Sequence, residues 1–369
     1  MRLRIRRREA RAADFGSTVH PVLGRIYAAR GLSAPADLDC ALERLLPVGS
    51  LDGVEAAAEL LARQRLGGRV LIVGDFDTDG ATSTALMVRA LRGWSFASVD
   101  FLVPNRFEFG YGLTPEIVTL AAERAPTLIV TVDNGISSIA GVAAARERGI
   151  DVLVTDHHLP AAERPCASVI VNPNAGGNRF ASRALAGVGV AFYVAAALQR
   201  RLDASGELPR GAPGVAEYLD LVALGTVADL VPLDANNRVL VTQGLKRIRA
   251  GRCVPGIGAL LDIAGRRRAD LSAADLAFGV APRLNAAGRL DDMSIGIRCL
   301  LAEGGEEAAA LAVRLDALNQ ERRAIEARMQ AEALAAVRRL RDPAEARRRS
   351  ALTLFDETWH QGVVGLVAG

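Results

Sequence analysis

Short apolar, β-rich runs at residues 69–73, 98–103, 127–132 and 151–155 alternate with loops and helix-like stretches, and a fifth run follows at 168–171. The spacing predicts helices over 81–91, over 114–124 with Thr114 as N-cap before Pro115, and over 137–148. Runs that are apolar along their whole length bury both faces. They therefore belong in a parallel sheet with helices on either side. Such a sheet gathers its strand carboxyl ends on one edge, where the ligand crevice of an open α/β fold lies.

Acidic motifs fall at that edge. Asp75, Asp77 and Asp79 alternate after the first run, within Gly74-Asp75-Phe76-Asp77-Thr78-Asp79-Gly80. Val132-Asp133-Asn134-Gly135 closes the third, and Asp156-His157-His158 closes the fourth, holding two of the chain's four histidines. Three alternate carboxylates in an extended loop repel one another unless a cation sits among them. A helix cap needs only one. The loop follows a buried strand and lacks the later glutamate of an EF-hand. Aspartates with a histidine are the ligands that hold two divalent cations and activate water against a phosphate ester. Mixed imidazole and carboxylate donors favour Mn²⁺ or Mg²⁺ over a structural zinc. Asp229, within Ala228-Asp229-Leu230-Val231, is an acid in apolar surroundings and also calls for a cation.

The remaining chain sets limits. Its 369 residues point to two domains, and half are apolar. Net charge is +3, so global charge does not announce a nucleic-acid binder. The arginine runs at 2–8 and 347–349 read as solvated faces. Cys40, Cys166, Cys253 and Cys299 show no metal spacing and read as small buried apolar residues in a reducing compartment. The basic start lacks the apolar stretch of a signal peptide, and the longest apolar stretch, 187–198, is too short to span a bilayer. A cytoplasmic protein without membrane contact is expected. Residues 1–68 read as an N-terminal helical segment and 69–235 as the catalytic domain. Residues 236–340 form a helical region, and 351–369 the beginning of a further domain. Within these, an amphipathic helix is expected over 215–229, another helix over 237–250, and a long Glu/Arg-laced connector over 306–340. A boundary is expected at 341–350, a new strand at 351–355, and the Gly-rich 362–369 reads as the opening of another element.

The motifs resemble the DHH phosphoesterase superfamily and, within it, the RecJ family of single-strand exonucleases, over residues 50–369. Leu224-Gly225-Thr226-Val227-Ala228-Asp229 is similar to a fourth motif. Pro282-Arg283-Leu284-Asn285-Ala286-Ala287-Gly288-Arg289 resembles a family segment that helps line the substrate groove, and Pro104-Asn105-Arg106 with Gly110-Tyr111-Gly112-Leu113 also resembles the family. Trp359-His360-Gln361-Gly362-Val363-Val364-Gly365 resembles the opening of the accessory DHHA1 domain. The resemblance implies an α/β fold in which a helix-flanked parallel sheet is joined by a long helix to the start of a second α/β domain. It implies a metal-dependent exonuclease that hydrolyses single-stranded DNA from 5′ to 3′ and releases mononucleotides in DNA repair and recombination. Two Mn²⁺ or Mg²⁺ ions would be bridged by Asp133. Asp77, with Asp75, would complete one shell, and Asp79, His157 and Asp229 the other. His158 would polarise the phosphate or assist proton transfer. Arg106, Arg283 and Arg289 would hold phosphates, Asn285 would line the groove, and Tyr111 could stack on a base. His360, Gly362 and Gly365 would face the metals from across the groove. Single-strand-binding protein and a helicase are the implied partners. In many superfamily members a histidine stands four residues before the middle aspartate of the first motif. Here that place is Val73, with Asp75 as a substitute ligand. The alternatives are a DHH phosphoesterase on short oligoribonucleotides, cyclic dinucleotides or pyrophosphate, and a replication-fork scaffold without metals. The intact carboxylates speak against the scaffold.

Overall fold

Five parallel strands form the sheet: β1 (Arg69–Gly74), β2 (Ser98–Leu102), β3 (Leu128–Val132), β4 (Asp151–Thr155) and β5 (Val169–Val171), in the order β2-β1-β3-β4-β5. The computed structural model describes residues 4, 6, 13–17, 19–339 and 351–369. Most of the arginine run at 2–8, the run at 347–349 and the expected boundary at 341–350 lie outside the described residues. The register aligns Gly74 with Val132 and Val132 with Thr155. The next residue on each strand is Asp75, Asp133 or Asp156, so the three carboxylates leave the sheet in one row.

Alternation along the strands feeds two cores. Val70, Ile72, Leu128 and Val130 pack on the face covered by α2 (Val54–Gln64), α3 (Thr78–Gly93) and α6 (Gly187–Ala204). Leu71, Val73, Ile129, Val152 and Val154 pack on the other, under α4 (Pro115–Ala122) and α5 (Ile139–Glu147). Each fully buried aliphatic side chain contributes about 1.5–3 kcal/mol. Thr114 caps α4 by accepting from the Ile117 N–H at 3.3 Å. α3 begins at Thr78, three residues before the expected start, because the Asp77 carboxylate caps it through the Gly80 N–H at 3.0 Å.

The sheet unit is preceded by α1 (Pro21–Ala29). It is followed by α7 (Leu219–Ala228), α8 (Ala235–Arg249), α9 (Pro255–Ile263), the single turn α10 (Ala273–Asp275), α11 (Ala281–Leu290), α12 (Ser294–Leu301) and α13 (Gly305–Arg339). The amphipathic helix expected over 215–229 is corrected in two ways. Residues 215–218 form a separate tight turn, and α7 is buried all round from Leu219 to Val227. It lies between α3 and α8, so no face of it is left for water. At 35 residues α13 runs about 50 Å. It lays Ala308, Ala312, Leu315 and Met329 against the body of the molecule. The strand expected at 351–355 does not form. Those residues are irregular and mostly exposed, and among the described residues no strand pairs with them. Cys166 is likewise exposed, against the buried role expected for it. No described helix is long and apolar enough to cross a membrane.

Candidate metal centre and arginine wall

The aspartate row is completed by α6. Asp133 has φ 61°, a left-handed conformation that aspartate tolerates better than most residues. Gly187, at the first position of α6, lies against it: a Cβ there would stand 2.6 Å from Asp133 Oδ1. The same helical turn donates two N–H groups to Asp79, from Gly187 to Oδ2 at 2.7 Å and from Val188 to Oδ1 at 2.8 Å. A helix N-terminus is a natural seat for a carboxylate. Asp229 is the C-cap of α7. His157 Nε2 lies 3.1 Å from Asp133 Oδ1, 3.6 Å from Asp229 Oδ2 and 3.9 Å from Asp79 Oδ2.

Two ligand groups emerge, Asp75 with Asp77 and Asp133, and Asp79 with His157 and Asp229. Within each, one donor atom per residue lies within 4.8 Å of the others, and Asp133 also groups with His157 and His158. Burial, then the charge of Asp77, pushes Asp75 up to about 8 and Asp229 up to about 7. Burial raises Asp79 and Asp133 well above the carboxylate range, reinforced by Asp229 and Asp79 respectively. Burial and then His158 hold His157 down at about 4. Asp133 Oδ1 and His157 Nε2 are buried without a hydrogen-bond partner. A buried imidazole nitrogen without a partner beside crowded acids whose ionised forms a positive charge would favour is the donor set of a divalent cation, so these residues fit one. Val73 is buried in the core under α4 and α5, while Asp75 stands beside Asp77 and Asp133.

Asp156 has a role that sequence reasoning did not assign. Its Oδ1 accepts from the N–H groups of His157 (2.7 Å) and His158 (3.1 Å) and lies 2.8 Å from His158 Nδ1. Its Oδ2 accepts from the Ile136 N–H at 2.8 Å. Burial alone would raise Asp156, but the bonds from His158 and Ile136 outweigh it and hold the carboxyl below its usual range. In return the Asp156 hydrogen bond raises His158 to about 9. Asn172 and Asn174 hold the carbonyls of His158 and His157, at 3.0 and 2.6 Å. The signal for Asp156 was its place in the aspartate row. The two asparagines carried no signal, and Gly187 stood in a stretch read only for its length.

Basic side chains stand beside the acids. The Arg106 guanidinium lies 4.3 Å over the Phe76 ring and donates to the Gly288 carbonyl at 3.4 Å. Arg289 donates to the Gly362 carbonyl at 3.1 Å. Burial, then repulsion from Arg106 and Arg322, lowers it, while Asp77 pulls the other way. The Tyr111 hydroxyl donates to the Asp133 carbonyl at 3.2 Å and lies 3.4 Å from His158 Nδ1, with the ring half exposed. His360 Nδ1 accepts from the Gly362 N–H at 3.1 Å, and its ring meets Phe107 edge-on. Two expected groove residues are otherwise engaged. Arg283 pairs with Asp316 at 2.8 Å, tying α11 to α13. Asn285 accepts from the Thr78 N–H and hydroxyl, at 2.8 and 2.7 Å, and so anchors the start of α3. Gly365 lies in the terminal helix Val364–Ala368 with open space at its Cα.

A parallel sheet whose carboxyl edge carries D-x-D-x-D, D-N-G and D-H-H turns defines a DHH protein, and the DHH family, N-terminal domain, matches residues 69–226. Over 371 residues the chain is 53% identical to the single-stranded-DNA-specific exonuclease RecJ of Escherichia coli K12, covering 99% of this chain and 64% of that protein. It is 38% identical over 350 residues to the RecJ of Thermus thermophilus, covering 95% of this chain and 48% of that one. The crystal structure of an exonuclease RecJ bound to manganese matches at a TM-score of 0.76 and 38% identity, over 88% of this chain and 78% of that chain. The chain belongs to the RecJ family. It spans less than two thirds of the length of the curated Escherichia coli relative.

Proposed function

We propose that this chain is the catalytic part of a metal-dependent exonuclease. It would hydrolyse single-stranded DNA from the 5′ end and release mononucleotides, in cytoplasmic DNA repair and recombination. The observation that carries the reading is the pair of adjoining ligand groups, one holding Asp133, whose Oδ1 is buried without a hydrogen-bond partner and lies 3.1 Å from His157 Nε2 of the other. Asp75, Asp77 and Asp133 would hold one divalent cation, and Asp79, His157 and Asp229 the other, with Asp133 shared. RecJ structures carrying Mn²⁺ and Mg²⁺ support this choice of ions. When bound, such ions supply neutralisation of phosphate charge and an acidified water.

The chain's own groups do the rest. Held cationic near neutral pH by Asp156, His158 can donate from Nε2 to a phosphate oxygen. Tyr111, partly exposed beside it, can stack on a base. Arg106 and Arg289 keep guanidinium N–H groups for non-bridging phosphate oxygens, since they bond here only to neutral carbonyls. Single-strand-binding protein and a helicase are the partners such a reading calls for, because they expose single strands.

The test is Mn²⁺-dependent release of mononucleotides from 5′-labelled single-stranded DNA, set against a blunt duplex. Fast release from the single strand and little from the duplex is expected. Equal rates on both, or preference for a short oligoribonucleotide, would replace the reading with a broader phosphoesterase. No hydrolysis with Mn²⁺ or Mg²⁺ would favour the scaffold.

A further inference from the structure

At the opposite ends of α3 and α7 from the aspartate row lies a second polar cavity, of about 650 Å³. α3 carries Asp79 in its first turn and Arg89 and Arg92 toward its last. α7 runs the other way, with Asp220 in its first turn and Asp229 as its C-cap. Arg89, Arg92 and Asp220 line the cavity together with Arg247, Arg252 and Tyr218. Glu217 and Glu303 also line it, so four arginines face three carboxylates, and Glu217 accepts from the Gly214 N–H.

The polar groups here are left incomplete. Asp220 is fully buried; one oxygen accepts from the Val254 N–H at 2.8 Å, and Oδ1 has no partner. The Arg247 Nε is buried and also without a partner. Arg89 and Arg92 bond only to neutral carbonyls, those of Leu300, Ala302 and Val99. A buried acceptor and a buried donor without partners are each costly unless something supplies the missing bond. What fits is a ligand with anionic oxygens for the arginine forks and an N–H for the Asp220 oxygen. The cavity lies within the size range of small-molecule sites.

We propose that this chamber is a second binding site, for a nucleoside phosphate, with the phosphate on the arginines and a base N–H on Asp220. α3 and α7 also carry Asp79 and Asp229, so occupancy at one end of the helix pair can be felt at the other.

The test is isothermal titration of GMP into the protein in EDTA, which disables a metal-dependent site. One saturable site per chain is expected, with ribose 5-phosphate and inorganic phosphate binding at least about tenfold more weakly, the weight of one good polar contact. The double variant Arg92→Ala/Arg252→Ala changes two exposed side chains and should lose about tenfold in GMP affinity or more. Asp220→Asn should lose GMP affinity while leaving ribose 5-phosphate unchanged. The double variant Arg106→Ala/Arg289→Ala should bind GMP like the parent, which separates this site from the groove proposed to hold DNA. Absence of saturable GMP binding, or parental affinity in the double variant, overturns the site. Ribose 5-phosphate binding as well as GMP overturns the base contact. If Asp220→Asn does not fold, the double variant and the ligand series still decide the question.

Discussion

The acidic wall and the basic wall beside it are assembled by opposite rules. On the sheet side, Asp75, Asp133 and Asp156 come from three neighbouring strands, Asp79 from a helix start and Asp229 from a helix end. They crowd like charges into a buried space until several ionise only with difficulty. On the other side, Arg106 and Arg289 give hydrogen bonds to the carbonyls of Gly288 and Gly362, which fix their geometry without cancelling their charge. The first wall is short of positive charge and the second keeps positive charge to spare. Cations against one and phosphates against the other satisfy both at once.

The comparison breaks most sharply at Asp133. Asparagine tolerates the same left-handed backbone, so Asp133→Asn tests the charge alone. Hydrolysis of single-stranded DNA should fall by about 10³-fold or more, on the scale of losing an essential electrostatic group. The melting temperature in EDTA should not fall, because a crowded buried acid has been removed. A clear loss of stability in EDTA would mean that this wall is a structural network and not an empty ligand set.

Next in size is the response to ions and pH. A ligand at a hundred times its Kd adds about 2.7 kcal/mol to stability, so saturating Mn²⁺ should raise the melting temperature by several degrees in the parent and less in Asp229→Asn. Without metal, folded Asp75 and Asp229 keep their protons up to about 8 and about 7. Their unfolded counterparts have released them by about pH 5. Over that window the folded state binds more protons, so stability should fall as pH rises. His158 acts in the same direction, its stabilisation being lost as pH climbs through about 9. A melting series in EDTA from about pH 7 to 9, above the range in which the depressed His157 works the other way, should slope downward, and Mn²⁺ should flatten it. A flat series without metal would show that the acids are not crowded as described.

Smaller effects sharpen the second wall. Arg106→Ala and Arg289→Ala should each weaken DNA binding and reduce the salt slope by about one. Arg283→Ala removes one partner of a largely buried ion pair. It should cost about 1–3 kcal/mol in denaturant unfolding while leaving the salt slope as it was. A reduced salt slope in Arg283→Ala would return that residue to the groove.

Much of this was legible in the sequence, for reasons that differ by element. Wholly apolar strands with acidic ends report sheet, direction and edge together, so the aspartate row could be placed without coordinates. That Asp79, His157 and Asp229 come together needed the resemblance as well. What escaped depends on packing between distant segments. Arg283 and Arg289 sit in one motif, yet one turns to Asp316 on α13 and the other to Gly362. Nothing local distinguishes them. The all-round burial of α7 follows from its neighbours α3 and α8, which its own periodicity cannot show. Asp156 stands in the row like a further ligand, but its bonds to the His157 and His158 backbone make it the clamp that aims them.

One close approach has a mechanical reading. At Gly288 a Cβ would stand 1.8 Å from the Phe76 carbonyl oxygen, so α11 meets the loop between Asp75 and Asp77 backbone to backbone. That contact is a hard stop. The spacing between Arg289 and the acids is gauged by main chain, whose dimensions no rotamer change can alter. A single methyl group at this position would drive the helix and the loop apart.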